Sequence, residues 1–133
     1  MDLDTEWQRL PFPLHPEIVY VVKIGREGKF IPLYVGMSET RNVGRIGDYV
    51  SCQFTGKRDF IVGTAVRHLV AKGFEVVVDY RLSSNPRGEE KKLIADLSTH
   101  FVLLNGRLTY EPEMTTEDLE RERIRRFIDQ HFH

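Results

Sequence analysis

The side chains best suited to chemistry lie in one ordered series: Tyr20, Tyr34, Arg45, Tyr49 and Glu90. Glu90 lies three and four residues before Leu93 and Ile94, so a helix over this stretch turns it toward the same apolar side. A carboxylate on such a face costs free energy unless a cation or a metal offsets it. Glu89, rotated by about 100°, falls toward Lys92 and Asp96 on the wetter side. Arg45 and Tyr49 are spaced i, i+4 and are neighbours on one helical face. Tyr20 shares a strand face with Ile18, Val22 and Ile24, which places its ring in the core and leaves its hydroxyl for function. A free tyrosine has a pKa near 10, so a tyrosine acting as a base needs a positive neighbour.

The elements that must position these residues can be read from periodicity. Glu17 to Ile24 is a β-branched run, Gly25 to Lys29 a turn, and Phe30 to Gly36 a second strand of a hairpin. Pro32 cannot donate to a ladder, which puts it at an edge, a bulge or an irregular start. A helix is expected over Arg41 to Tyr49, despite Gly44 and Gly47. Another is expected over Asp59 to Lys72, with Val62, Val66, Leu69 and Val70 inward and Gly73 as its C-terminal cap. Phe74 to Leu82 alternates as a third strand, with Phe74, Val76, Val78, Tyr80 and Leu82 on one face and Glu75, Asp79 and Arg81 on the other. Asn85 and Pro86 suit the start of a helix that carries Glu89 to Leu97. The Asn105-Gly106 pair signals a turn. A last helix runs from about Thr116 to Gln130, with Leu119, Ile124, Phe127 and Ile128 as its apolar stripe. The expected class is a small α+β fold: a three-stranded, mostly antiparallel sheet flanked by helices, plus a C-terminal helix.

Composition excludes several classes. The 133 residues are 41% hydrophobic, with 19 Lys and Arg against 20 Asp and Glu, the profile of one compact domain. The single cysteine, Cys52, rules out an internal disulfide and a CxxC zinc site. Neither a run of roughly 20 apolar residues nor a signal peptide is present, so a cytoplasmic protein without membrane association is expected. P-loop, zincin, serine hydrolase and zinc-finger signatures are absent. His15, His68, His100, His131 and His133 are scattered and read as surface or satisfied histidines. Trp7 and Tyr110 read as packing residues. Residues 16–110 carry 14 Lys and Arg against 10 Asp and Glu, while residues 1–15 and 111–133 are acidic. That organisation reads as an N-terminal extension, a central domain able to meet phosphates, and a C-terminal helical extension.

Over residues 17 to 107 the ordered series resembles the GIY-YIG endonuclease superfamily. Ile18-Val19-Tyr20 is similar to the first motif and Tyr34-Val35-Gly36 to the second. Arg45 follows on the next helix, Glu90 stands in an E-x-x-L-I pattern, and Asn105 resembles the asparagine that closes the family domain. Ile18 replaces the family's first glycine, and the interval from Tyr20 to Tyr34 is longer than usual, as for an extended hairpin turn. The resemblance implies hydrolysis of DNA phosphodiesters with Mg²⁺ or Mn²⁺. Glu90 would be the sole protein ligand of the metal. Arg45 would contact the scissile phosphate, with Arg41 as the fallback for that contact. Tyr34 would take a proton from water, with Tyr20 sharing that hydrogen bond and Tyr49 orienting water or phosphate. Asn105 would fix the closing turn. The alternative expectation is the same fold without turnover, binding nucleic acid or a partner protein. A recruiting protein or a homodimer is compatible with either.

Overall fold

The computed structural model describes residues 7–9, 17–38, 60–108 and 116–132. The expected helix over Arg41 to Tyr49, with the calls on Arg41, Arg45 and Tyr49, lies outside the described residues, as do Cys52 and Tyr110. The described elements follow the order β1 (Gln8–Arg9), β2 (Ile18–Arg26), β3 (Lys29–Ser38), α1 (Phe60–Ala71), β4 (Glu75–Leu82), α2 (Pro86–Ser98) and α3 (Glu117–His131). The class is α+β, with an antiparallel sheet in the order β1-β4-β2-β3. The sheet therefore has four strands rather than the three expected. The extra strand, β1, is two residues long and has no periodicity to announce it. Tertiary contacts hold it instead: Arg9 pairs with Asp79, and the Tyr80 hydroxyl donates to Gln8 Oε1 at 3.1 Å.

The hairpin β2–β3 is longer than its sequence suggests, and its turn is shorter. Glu27 and Gly28 both have positive φ, 55° and 80°, so two residues close it with the twist that antiparallel strands favour. The long interval between Tyr20 and Tyr34 is thus strand, not extended turn. Part of it is a register shift between Val22 and Lys23, where Val22 faces Tyr34 but Lys23 faces Pro32. Pro32 sits at this bulge on the edge strand, where its missing N–H is tolerated.

Helix ends follow local chemistry. Helix α1 closes with Gly73 at φ 92°, with Phe74 N donating to Leu69 O and Gly73 N to Val70 O, both at 3.0 Å. This satisfies orphan carbonyls through a left-handed residue that glycine adopts without a Cβ penalty. Asn85 Oδ1 accepts from Gly88 N at 3.3 Å and Pro86 opens α2. Thr116 Oγ1 caps α3 by accepting from Leu119 N.

The sheet is covered on both faces. Its first face carries Ile18, Tyr20, Val22 and Ile24 of β2 with Val78 and Tyr80 of β4. It packs on Val62, Ala65, Val66 and Leu69 of α1 and on Ile124 and Ile128 of α3. Its second face carries Val21 and Val35, which pack with Leu103 against Leu93, Ile94 and Leu97 of α2. Two stripe residues are placed differently from expectation. Val70 is 53% and Leu119 65% exposed, while Glu120 takes an inward position on α3 with its carboxylate on Arg123 at 2.6 Å. Leu119 lies about 140° around the helix from Ile124, so it never joins the Ile124–Ile128 stripe. Helices α1 and α3 are also tied at the surface, where Asp129 receives His68 at 2.8 Å and Lys72 at 2.6 Å. No helix among the described residues is long and apolar enough to cross a membrane.

Candidate functional site

The candidate site gathers on β3, the edge strand. Tyr20 is 1% exposed and pairs in register with Gly36. Its phenol fills the space a side chain at position 36 would take: a Cβ there would lie 2.3 Å from both Cζ and the hydroxyl oxygen of Tyr20. Tyr34 is half-buried on the same face, its ring centroid 6.5 Å from that of Tyr20 with the planes tilted by 46°. The Tyr-Val-Gly sequence thus has a steric reason. The glycine admits the ring of Tyr20, and the tyrosine two residues earlier lies beside it.

Asn105 fixes the same strand from its open side. Its Oδ1 accepts from Val35 N at 2.9 Å and its Nδ2 donates to Val35 O at 2.7 Å, so one amide substitutes for a neighbouring strand. Leu104 N donates to Leu33 O at 2.9 Å and continues this pairing. The segment after α2 is thereby stitched to the edge between Leu33 and Gly36. Tyr20, Tyr34, Gly36 and Asn105 come from three separated stretches of sequence and meet here.

Glu90 is placed differently. It is half-buried in α2 and shares a stripe with Ile94 and Leu97, which pack on the second face of the sheet, opposite Tyr20 and Tyr34. The two faces meet along the sheet's edges, and β3 is the edge that carries Tyr34. Glu89 lines one space with Lys92 and Asp96, as its rotation predicts, and its Oε2 also lies 3.4 Å from Arg81 Nε on the sheet.

The second face also holds a charge cluster, where the alternation of β4 predicts only a polar strand face. Asp79 is buried at 6% exposure, with Arg9 Nε at 2.7 Å and Lys23 Nζ at 2.9 Å. Burial pushes its carboxyl up, but the hydrogen bonds and charges of Arg9 and Lys23 outweigh that and hold it below the usual carboxylate range. One signal was available: an acid in the middle of an alternating strand needs a partner when the face is covered. Tyr80 also sits beside Tyr20 in register, and burial raises its hydroxyl pKa.

Among the described residues no three His, Cys, Asp or Glu side chains cluster as a multidentate metal site requires. A single half-buried carboxylate such as Glu90 is of a different kind. It matches a hard cation that keeps most of its waters, so its donor chemistry suits Mg²⁺ or Mn²⁺. Comparison with family models, with curated proteins and with solved structures finds no match to this chain.

Proposed function

We propose that the chain is a metal-dependent endonuclease of the GIY-YIG type that hydrolyses phosphodiester bonds of DNA. The observation that carries this reading is the meeting of Tyr20, Tyr34, Gly36 and Asn105 on the edge strand, with Gly36 shaped to the ring of Tyr20. Residues that resemble separate family motifs in the sequence are here mutually dependent. The order of hairpin, helix, strand and helix also agrees with the resemblance.

In this reading Tyr34, half-buried and beside Tyr20, is ionised before the reaction, and its phenolate accepts the proton that the attacking water gives up. Its phenol needs a positive neighbour to do so near neutral pH, and Arg45 is the residue assigned to supply it and to contact the phosphate. Tyr20, buried, positions Tyr34 rather than touching substrate with its ring. Tyr49 orients water or phosphate. Asn105 keeps the strand in register. Glu90 would hold Mg²⁺ or Mn²⁺, which when bound supplies an acidified water and neutralises phosphate charge. The place where groups from the two faces can act on one phosphate is the β3 edge.

A second reading is favoured by one observation. Glu90 belongs to the face opposite the tyrosines, the arrangement expected of a module that keeps the fold and binds nucleic acid without cutting it. Nicking of supercoiled plasmid at low salt separates the two. The nuclease requires Mg²⁺- or Mn²⁺-dependent nicking, abolished by EDTA and lost in Glu90→Gln and Arg45→Ala. Binding without nicking in the wild type supports the module.

A further inference from the structure

Residues 101–108, which follow α2, wrap around the β3 edge. Phe101 and Leu103 pack on the second face of the sheet, whereas Leu104 and Leu108 pack on the first, the face of Tyr20 and Tyr34. Backbone and side chain together hold the crossing: Leu104 N donates to Leu33 O at 2.9 Å, and the Asn105 amide clamps Val35. The two neighbours of Tyr34 on β3 are therefore the residues that this segment grips.

Arg107 stands on this crossing. Its N–H donates to Leu104 O at 3.2 Å and closes a four-residue turn, in which Gly106 has φ 73°, the positive φ that the third position of a type II turn requires. Such a turn keeps the Cα of Arg107 within about 7 Å of that of Leu104. Asn105 before it is clamped to the strand and Leu108 after it packs on the core, so the root of the side chain is fixed while the residue itself is exposed.

Charge sets Arg107 apart from most arginines of the fold. On α3, Arg121, Arg123 and Arg126 each meet an acid of the same helix, and on the second face Arg9 and Lys23 share Asp79. Arg107 makes no ion pair among the described residues. Neither β3 nor residues 101–108 contain an acid, and their only charges are those of Lys29 and Arg107. A planar fork of donors, fixed at its root and free of any carboxylate, suits a phosphate. We infer that Arg107 binds a backbone phosphate of DNA flanking the one that reacts at Tyr34, which makes the turn after α2 part of the DNA-binding surface. This deepens the proposed function and rests on it for the identity of the polyanion. The turn then has two tasks: Asn105 holds the strand that carries Tyr34, and Arg107 holds the substrate against that strand.

The full chain is titrated in EDTA with a fluorescein-labelled DNA duplex, and binding is followed by anisotropy over a range of NaCl concentrations. Each phosphate contact releases condensed counterions, so losing one lowers the slope of log affinity against log salt by about 0.9. Arg107→Gln is expected to weaken binding and to reduce the slope by about that amount, whereas Arg107→Lys, which keeps the charge, is expected to retain the wild-type slope. Arg125→Gln makes the same charge change on the exposed side of α3 and is expected to leave the slope as it is. No binding by the wild type, an unchanged slope in Arg107→Gln, no recovery in Arg107→Lys, an equal loss in Arg125→Gln, or equally effective competition by oligoglutamate overturns the inference. Plasmid nicking with Mn²⁺, measured in parallel, keeps the two readings apart. Nicking by the wild type with an unchanged slope in Arg107→Gln removes the phosphate contact alone. A loss of slope in Arg107→Gln without nicking by the wild type removes the nuclease alone.

Discussion

Tyr20 and Gly36 occupy one another's space: the phenol of the first lies where the side chain of the second would be. Gly36→Ala would place a Cβ 2.3 Å from Cζ and the hydroxyl oxygen of Tyr20. Because Tyr20 is wholly buried, its ring cannot swing into water. Overpacking of this kind costs about 1–3 kcal/mol. The check is chemical denaturation of Gly36→Ala, Tyr20→Leu and the double variant. The two effects should be strongly non-additive, with the double variant close to Tyr20→Leu alone. Additive losses would mean that the ring and the glycine are not coupled.

Asn105 replaces a missing strand with one side chain. Asn105→Ala removes two hydrogen bonds and leaves the partly buried N–H and C=O of Val35 unpaired, a loss of about 2–3 kcal/mol. Asn105→Asp keeps the acceptor for Val35 N but, when ionised, sets a carboxylate oxygen against Val35 O in place of the donor, so its loss should shrink at low pH, where the protonated acid can donate to Val35 O. Amide exchange at Val35 is the direct readout. Faster exchange in Asn105→Ala, with exchange at Val21 little changed, is expected.

Asp79 makes acid stability depend on its two cations. Its folded pKa lies below the unfolded value of about 3.9, so the stabilisation is fully present above that pH and is lost as pH falls through the folded value. Asp79→Asn should cost about 1–2 kcal/mol at neutral pH, less than breaking a fully buried pair because Arg9 and Lys23 reach water. It should also flatten the stability curve below about pH 4. Parallel acid limbs in the wild type and the variant would remove Asp79 from the account.

The elements that could be read from sequence are those whose signal is local. The alternation of Val76, Val78, Tyr80 and Leu82 marks β4 because strand side chains alternate between faces. Gly73, Asn85 and Pro86 mark helix ends because each answers a backbone demand within a few residues. Strand β1 was not legible, since two residues carry no period and their pairing depends on Asp79, 70 positions from Arg9 in sequence. Leu119 has the apolar character of the stripe but not its angle around the helix, and the inward position belongs to Glu120 with its arginine. In the site, Tyr20, Tyr34 and Gly36 can be grouped from their motifs, and the Asn105-Gly106 pair marks a turn. That this turn clamps Val35, and that α2 carries Glu90 over the second face, are consequences of packing that no spacing encodes.

The central claim is that Tyr34 and Glu90 serve one hydrolytic reaction at the β3 edge. Its most direct test is single-turnover cleavage of a labelled DNA with Mn²⁺, comparing wild type, Tyr34→Phe, Glu90→Gln and Tyr20→Phe at matched folded fractions. The account predicts metal-dependent cleavage by the wild type. Tyr34→Phe should fall by about 10²–10⁴-fold, the usual contribution of a positioned base. Glu90→Gln should be inactive, and Tyr20→Phe should fall less than Tyr34→Phe. Wild-type cleavage that survives both Tyr34→Phe and Glu90→Gln, or DNA binding with no cleavage at all, would contradict it.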